Sequence, residues 1–170
     1  MNYLKDQFYY YTDAVGTKFC DDVIRFSKTI NKKQAKTGFQ SDGELHPYIR
    51  KAKVAWLSEK WIYSKLFRFI HDNNKDHYDW HQDSGYTPKN NVRKLSLICN
   101  LTDPKEYKGG NLFINFPHPN SAHSTRYQLN FMKQKGSIIV FPSFLWHKVS
   151  PVTKGIRHSL VCWMNGDRFK

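Results

Sequence analysis

Turn-forming residues divide the chain after Asn73 into short apolar segments, and this division constrains the fold more than any other feature of the sequence. Glycines and prolines such as Gly85, Pro88 and the pair Gly109-Gly110 stand between the segments. Many short strands with frequent turns are typical of a β-sandwich or barrel. The predicted strands are Tyr78–Asp83, Lys94–Leu101, Leu112–Phe116, Tyr127–Phe131, Ser137–Phe141, Trp146–Val149 and His158–Trp163.

The first 75 residues have a different pattern. Tyr9-Tyr10-Tyr11 predicts a short strand, and apolar residues at helical spacing predict a helix over Thr17–Ile30. A longer, bent helix is predicted from Pro47 to Asn73. We therefore predict an α+β fold, a double-stranded β-helix (a jelly-roll, cupin-like barrel) braced by N-terminal helices. Residues 1–170 would form one domain, with a mostly helical support region over 1–75 and the barrel core over 76–166.

Composition limits the classes of protein to which the chain can belong. The widely spaced Cys20, Cys99 and Cys162 form no CxxC pair, which argues against a disulfide framework or zinc ribbon and favours a reducing, cytoplasmic location. No apolar run approaches a membrane span, and the N-terminus lacks a signal-peptide core. The net charge of +13 would attract an acidic protein, a ribosome or nucleic acid, although the basic residues are scattered.

Three side chains have the pattern of a metal site. His81 and Asp83 lie two residues apart near a predicted strand end, so both should point to the same face. His147 lies in a strongly apolar segment, where an unpaired imidazole would be costly. A surface Asp beside a hydrogen-bonded core histidine would explain each residue separately. Together they match the 2-His-1-carboxylate set of non-haem Fe(II) oxygenases, which leaves coordination positions open.

Arg157 adds a carboxylate-binding group to this set. A guanidinium forms two parallel hydrogen bonds with a carboxylate and keeps its charge when it is desolvated. Ser159 should share the strand face of Arg157 and could donate a further hydrogen bond. Alone, Arg157 would be assigned to a surface salt bridge. Together with His81, Asp83 and His147 it predicts a site for a dicarboxylate.

Residues 51–166 resemble the 2-oxoglutarate- and Fe(II)-dependent oxygenases of the prolyl hydroxylase group, in their small phage and bacterial form. The resemblance rests on motifs whose order and spacing match throughout. These are residues 78–84 (YDWHQDS), 93–97 (RKLSL), 107–112 (YKGGNL), 136–142 (GSIIVFP) and 147–163, which includes Arg157-His158-Ser159. A weaker match covers residues 49–57.

The resemblance implies a role for each matching residue. His81, Asp83 and His147 would bind Fe(II), and Arg157 with Ser159 would hold the distal carboxylate of 2-oxoglutarate. The implied reaction consumes O2, yields succinate and CO2, and hydroxylates a C–H bond, in the first instance of a prolyl residue in a protein or peptide. Ascorbate is a further cofactor that the group implies.

The resemblance also implies roles for residues that differ from those of the relatives and for residues next to the metal ligands. Human-type relatives place a tyrosine on the second barrel strand against the co-substrate; here the inward set is Ser96, Ile98 and Asn100, and Ser96 or Asn100 would replace that hydrogen bond. Trp163 would lie near the co-substrate pocket or pack in the core. Tyr78 and Trp80 would line a substrate groove or shield the metal.

Four alternatives remain at this point. An oxygenase acting on nucleic acid would suit the charge, but no basic groove with interleaved aromatics is visible in the sequence. Hydroxylation of a free amino acid is another catalytic alternative. A non-catalytic, cupin-like metal-binding module would not need Arg157, and a zinc hydrolase would have no use for a carboxylate clamp.

Overall fold

The computed structural model describes residues 8–31, 33–34, 53–62, 73–74, 78–84 and 92–166. Within them lie thirteen strands, the α-helix α1, the helical residues 60–62 and a 3-10 helix. Their bounds are β1 Tyr9–Tyr11, α1 Thr17–Ser27, β2 Lys33–Gln34, β3 Lys53–Val54, β4 Asn73–Asn74, β5 Tyr78–His81, β6 Val92–Asn100, β7 Tyr107–Gly109, β8 Leu112–Phe116, β9 Thr125–Gln128, the 3-10 helix Asn130–Lys133, β10 Ile138–Pro142, β11 Trp146–Val149, β12 Val152–Gly155 and β13 His158–Gly166.

The strands form two main antiparallel sheets and one short ribbon. The larger sheet has seven strands in the order β1-β10-β6-β13-β4-β3-β2, and the smaller has four in the order β5-β11-β8-β9. Strands β12 and β7 make the ribbon. The long strands β6 and β13 pair along almost their whole length at the centre of the larger sheet. This long strand pair is the centre of the larger sheet, and its inner face contacts the smaller sheet.

Side-chain alternation along β6 divides the interior into two cores. Leu97, Cys99 and Leu101 pack with Cys20 and Val23 of α1 on one side of the larger sheet. On the other side, Ile98 packs between the two sheets with residues of β8, β10 and the 3-10 helix. The predicted inward set of Ser96, Ile98 and Asn100 thus belongs to the space between the sheets. Because these residues alternate with the helix-facing set, one strand serves both cores.

The described elements agree with most of the predicted strands. Leu112–Phe116 and Trp146–Val149 form strands with the predicted bounds. The segment predicted over Tyr127–Phe131 is displaced, because the strand ends at Gln128 and a 3-10 helix begins at Asn130. Strands β7 and β12 were not predicted: each is short, and their glycines read as turns in the sequence.

The N-terminal prediction is only partly testable on the described residues. Helix α1 begins at Thr17 as predicted and ends at Ser27, slightly early. The predicted helix from Pro47 is wrong at Lys53–Val54, which pairs with β2 and β4 as a strand, and is confirmed at residues 60–62, which are helical. Most of that predicted helix lies outside the described residues, so bracing by several N-terminal helices stays a prediction. In the described part of the chain, no helix has the length and apolar character that crossing a membrane requires.

Candidate metal centre

Neighbouring strands of the smaller sheet bring His81, Asp83 and His147 together. His81 ends β5, His147 lies in β11, and the two are direct partners across this strand pair. Asp83 follows His81 by two residues and so returns to the same face. The ligand atoms of the three residues all lie within 4.8 Å of one another. The Nε2 atom of His81 lies 3.7 Å from Asp83 Oδ1, and that of His147 lies 3.4 Å from Asp83 Oδ2.

Backbone carbonyl groups orient both imidazole rings. The Nδ1 atom of His81 lies 2.7 Å from the carbonyl oxygen of Asp79, and that of His147 lies 3.0 Å from the carbonyl oxygen of Leu145. A carbonyl only accepts hydrogen bonds, so each Nδ1 must carry the proton and donate it. The lone pair of each ring is therefore on Nε2, the atom that lies toward Asp83, which is the tautomer that metal-ligating histidines need.

A buried serine pair holds the carboxylate of Asp83. The hydroxyl of Ser96 donates a 2.7 Å hydrogen bond to Asp83 Oδ2, and the hydroxyl of Ser143 lies 2.9 Å from that of Ser96. Burial by itself would raise the pKa of Asp83. When both rings are protonated, the attraction and hydrogen bond of His147 and the charge of His81, together with the bond from Ser96, outweigh burial and hold the pKa well below its usual range; a cation bound between the rings would supply the same positive charge. The carboxylate is thus ionised and preoriented.

Arg157 immediately precedes β13 and is almost fully buried, and its Nη1 donates a 3.2 Å hydrogen bond to Ser159 Oγ. The adjacent Gly110 has a φ of +58°, and a β-carbon on it would lie 2.7 Å from Arg157 Cδ. The glycine is therefore required both by its backbone conformation and by the path of the arginine side chain. Sequence reasoning treated the Gly109-Gly110 pair as a turn and a family motif and missed this contact.

The pairing of β6 with β13 places two chemically different groups toward opposite ends of this strand pair. Ser96 is paired with Trp163 at the end that holds Asp83, whereas Asn100 is paired with Ser159 at the end next to Arg157. Ser96 and Asn100 are four residues apart, roughly 13 Å at about 3.3 Å per residue. One end therefore presents a metal-binding triad and the other a buried guanidinium, with Ile98 and Val161 between them.

The structure separates the two residues expected to replace the missing tyrosine. Ser96 donates to Asp83, so its hydroxyl supports the triad rather than the co-substrate. The Nδ2 atom of Asn100 donates to the carbonyl oxygens of Thr102 and Lys133, at 2.9 and 2.7 Å. Both amide hydrogens of Asn100 are thereby used, and its remaining Oδ1 can only accept. The expected role of Asn100 as a donor to a carboxylate does not fit this arrangement.

The flanking aromatics lie in different places. Trp80 precedes His81 in β5 and so faces away from the triad, and its ring lies 5.1 Å from Lys148 Nζ and 5.8 Å from the guanidinium of Arg126. This position does not fit the expected groove at the metal. The side chain of Tyr78 is outside the described part of the structure. Trp163 is on the inner face of β13, with the Arg93 guanidinium 3.9 Å from its ring centroid.

Two contributors to the site escaped sequence reasoning for the same reason. Ser143, in the turn between β10 and β11, completes the hydrogen-bonded pair beneath Asp83, and Phe141 packs its ring edge on His147 at 4.8 Å between centroids. Neither residue belongs to a ligand motif. The apolar segment around His147 signalled a buried site, but only the strand register shows which of its residues touch the ligands.

An antiparallel two-sheet fold that brings together two imidazoles and one carboxylate, with a buried arginine on the same strand pair, is typical of the non-haem iron oxygenases. Comparison with known sequences agrees, because residues 66–165 match the 2OG-Fe(II) oxygenase superfamily. The chain belongs to this family of 2-oxoglutarate-dependent dioxygenases. Among its relatives are a PKHD-type hydroxylase of Nitrosomonas europaea, 34% identical over 65% of this chain and 46% of the relative, and one of Colwellia psychrerythraea, 28% identical over 81% and 56%.

Solved structures show the same fold. A Pseudomonas putida prolyl-4-hydroxylase superposes with a TM-score of 0.64 at 16% identity, covering 98% of this chain and 96% of that one. The viral collagen prolyl hydroxylase of Paramecium bursaria Chlorella virus-1 gives a TM-score of 0.57 at 16% identity, covering 95% and 97%. These are 2OG-Fe(II) oxygenases with a double-stranded β-helix, as predicted for this chain. The chain spans about half the length of the curated relatives above.

Proposed function

We propose that this protein uses Fe(II), 2-oxoglutarate and O2 to hydroxylate a C–H bond, with succinate and CO2 as co-products. One observation chiefly supports it: His81, Asp83 and His147 converge next to Ser96, and Arg157 is buried toward the other end of the β6–β13 strand pair. A metal site alone would suit many functions. A metal site facing a buried guanidinium suits a dicarboxylate that reaches from one end to the other.

The donor set fits Fe(II). Two neutral imidazole nitrogens and one ionised carboxylate are the ligands that a non-haem Fe(II) site uses, and three protein ligands leave positions for a chelating co-substrate and O2. The fixed Nδ1–H tautomers and the Ser96 hydrogen bond are the outer contacts that such ligands require. Bound iron would supply the redox chemistry of O2 activation, for which amino-acid side chains are unsuited.

The protein's own residues position and isolate the reactants. We propose that Arg157 and Ser159 bind the distal carboxylate of 2-oxoglutarate, so that its keto-acid end points toward the triad. Ile98 and Val161 would line the chain of methylene groups, and Phe141 shields the His147 side of the centre from water. Low water content strengthens the ionic contacts at both ends and limits unwanted reactions of the oxidant.

For the substrate, we propose a prolyl residue in a protein or peptide. Relatives and structural neighbours bear the names PKHD-type hydroxylase, prolyl-4-hydroxylase and collagen prolyl hydroxylase. The net charge of +13 would favour an acidic or ribosome-associated target in the cytoplasm, and less so nucleic acid. We further propose that ascorbate sustains turnover, that residues 1–170 work as one domain, and that its N-terminal helices brace the barrel.

Succinate production tests this function directly. The protein is loaded with Fe(II) without oxygen, mixed with 2-oxoglutarate and exposed to air, alone and with proline-containing peptides, free proline or methylated single-stranded DNA. Stimulation by peptides, with a gain of one oxygen atom on proline by mass spectrometry, is the expected result. Stimulation by DNA or free proline alone would redirect the substrate assignment. Absence of succinate from the wild type under all conditions, with iron bound, would contradict the oxygenase proposal.

A further inference from the structure

The smaller sheet has two faces, and the metal centre uses only one of them. His81 and His147 point inward, and Ile114 and Tyr127 belong to the core between the two sheets. Side chains alternate along a strand, so the strand neighbours of these four residues point outward. The outer face, which we call the aromatic-basic face, carries three aromatic and two basic side chains: Trp80, Phe113, Arg126, Trp146 and Lys148.

Strand pairing brings these five side chains together although they are far apart in the sequence. Trp146 and Arg126 lie in the same row across β11, β8 and β9, and Lys148 is the direct partner of Phe113. The Nζ atom of Lys148 lies 5.1 Å from the centroid of the Trp80 ring and 6.0 Å from that of the Phe113 ring. The guanidinium carbon of Arg126 lies 5.8 Å from the Trp80 centroid. Cations and aromatic rings are therefore interleaved on this face.

The aromatic-basic face is accessible to a partner. Arg126 is exposed, the three aromatic residues are partly exposed, and 30% of the Lys148 side chain is exposed. Lys148 Nζ also lies 3.6 Å from Asp79 Oδ1, but this ion pair is partly exposed, and such pairs contribute little to stability. A phosphate group would therefore compete for Lys148 at a small energetic cost.

We propose that the aromatic-basic face binds single-stranded nucleic acid. Proteins that bind single strands combine basic groups, which contact the phosphates, with aromatic rings on which the bases stack. The carboxylates of an acidic peptide would pair with the cations but would leave the rings without a stacking partner. The net charge of +13 would attract a polyanion from a distance. The inference goes beyond the proposed function, because this face lies on the opposite side of the smaller sheet from the triad and requires neither iron nor co-substrate.

Fluorescence anisotropy of a labelled 15-nucleotide oligothymidylate, titrated with the metal-free protein, tests this proposal. Trp80→Leu should raise the Kd about fivefold or more, as for loss of one stacked base. The double variant Arg126→Gln, Lys148→Gln should also bind more weakly. Its slope of log K against log salt concentration should fall by about 1.4, since each phosphate contact on a single strand contributes about 0.7. Melting temperatures verify that each variant is folded.

The matched control is the double variant Arg25→Gln, Lys28→Gln. It removes the same charge from an exposed arginine and an exposed lysine in and just after α1, which packs on the larger sheet, and Arg25 has an acidic partner as Lys148 does. This control should keep the wild-type salt slope. An equal loss of affinity in both double variants would reduce the binding to general charge attraction and overturn the proposal.

Three other results would also contradict the proposal. Wild-type affinity in Trp80→Leu would show that no base stacks on the indole. Displacement of the oligonucleotide by an equal charge concentration of oligoglutamate would assign the face to an acidic protein. Absence of oligonucleotide binding by the wild type at low salt would refute the proposal outright. None of these results bears on the proposed function, which succinate production tests separately.

Discussion

Ser96→Ala distinguishes the role that the structure gives this serine from the role expected from the sequence. The sequence placed Ser96 against the co-substrate, whereas the structure has its hydroxyl 2.7 Å from Asp83 Oδ2. The residue is fully buried, so water cannot easily replace the lost donor. We expect the variant to bind divalent metal more weakly and to keep the co-substrate requirement of the wild type once metal is saturating.

The expected magnitude follows from the kind of bond. A hydrogen bond to a charged acceptor contributes about 1.5–3 kcal/mol. Loss of an outer-shell partner of a metal ligand typically costs about 10–100-fold in metal affinity, which is the same range of free energy. Part of the loss arises because Asp83 becomes easier to protonate, since the Ser96 bond is one of the contacts that lower its pKa. The penalty should therefore grow as the pH falls.

The assay is a competition titration of Co(II) or Fe(II) against a chromophoric chelator, followed by a 2-oxoglutarate titration at saturating metal. Ser137→Ala is the matched control: Ser137 is a fully buried serine next to β10 whose hydroxyl has no hydrogen-bond partner among the described residues. It should leave metal affinity unchanged. Metal affinity of Ser96→Ala within twofold of the wild type, or a raised 2-oxoglutarate requirement with intact metal binding, would refute the assignment of Ser96 to the triad.

Four further outcomes are expected. His147→Ala should abolish metal binding in the same titration while circular dichroism shows the fold retained; sustained 2-oxoglutarate consumption would remove His147 from the triad. Arg157→Ala should raise the apparent 2-oxoglutarate requirement by about 10-fold or more at unchanged metal affinity, and an unchanged titration would contradict its role. Gly110→Ala should do the same by displacing Arg157, whereas Gly166→Ala, which meets only ordinary contacts, should not. Leu101→Ala should lower the free energy of unfolding by about 2–5 kcal/mol in urea, because Leu101 is fully buried between α1 and the larger sheet; a change below 1 kcal/mol, on the order of a surface substitution, would contradict that packing.

The meeting of His81, Asp83 and His147 and the burial of Arg157 were predictable from the sequence, whereas their roles stay predictions. Two residues apart on a strand, His81 and Asp83 must share a face, and this needs no tertiary information. His147 and Arg157 were recognisable since an imidazole in an apolar segment and a guanidinium before a strand need polar partners. Most strand positions were predictable too, because alternating apolar residues and turn residues are local sequence signals. Strands β7 and β12 are too short to give such a signal.

The roles of Ser96, Asn100 and Trp80 were decided only by the tertiary structure. Alternation along β6 predicts that Ser96 and Asn100 point between the two sheets. Their hydrogen-bond acceptors, however, belong to other parts of the chain: Asp83, Thr102 and Lys133. Long-range pairing also places Tyr107 beside Arg157, across the turn at Gly110. A sequence determines which chemical groups are available and which strand face each takes. Which of these groups can bind a ligand depends on the strand pairing in the folded protein, because a hydrogen atom already donated to a protein acceptor is not available to a ligand.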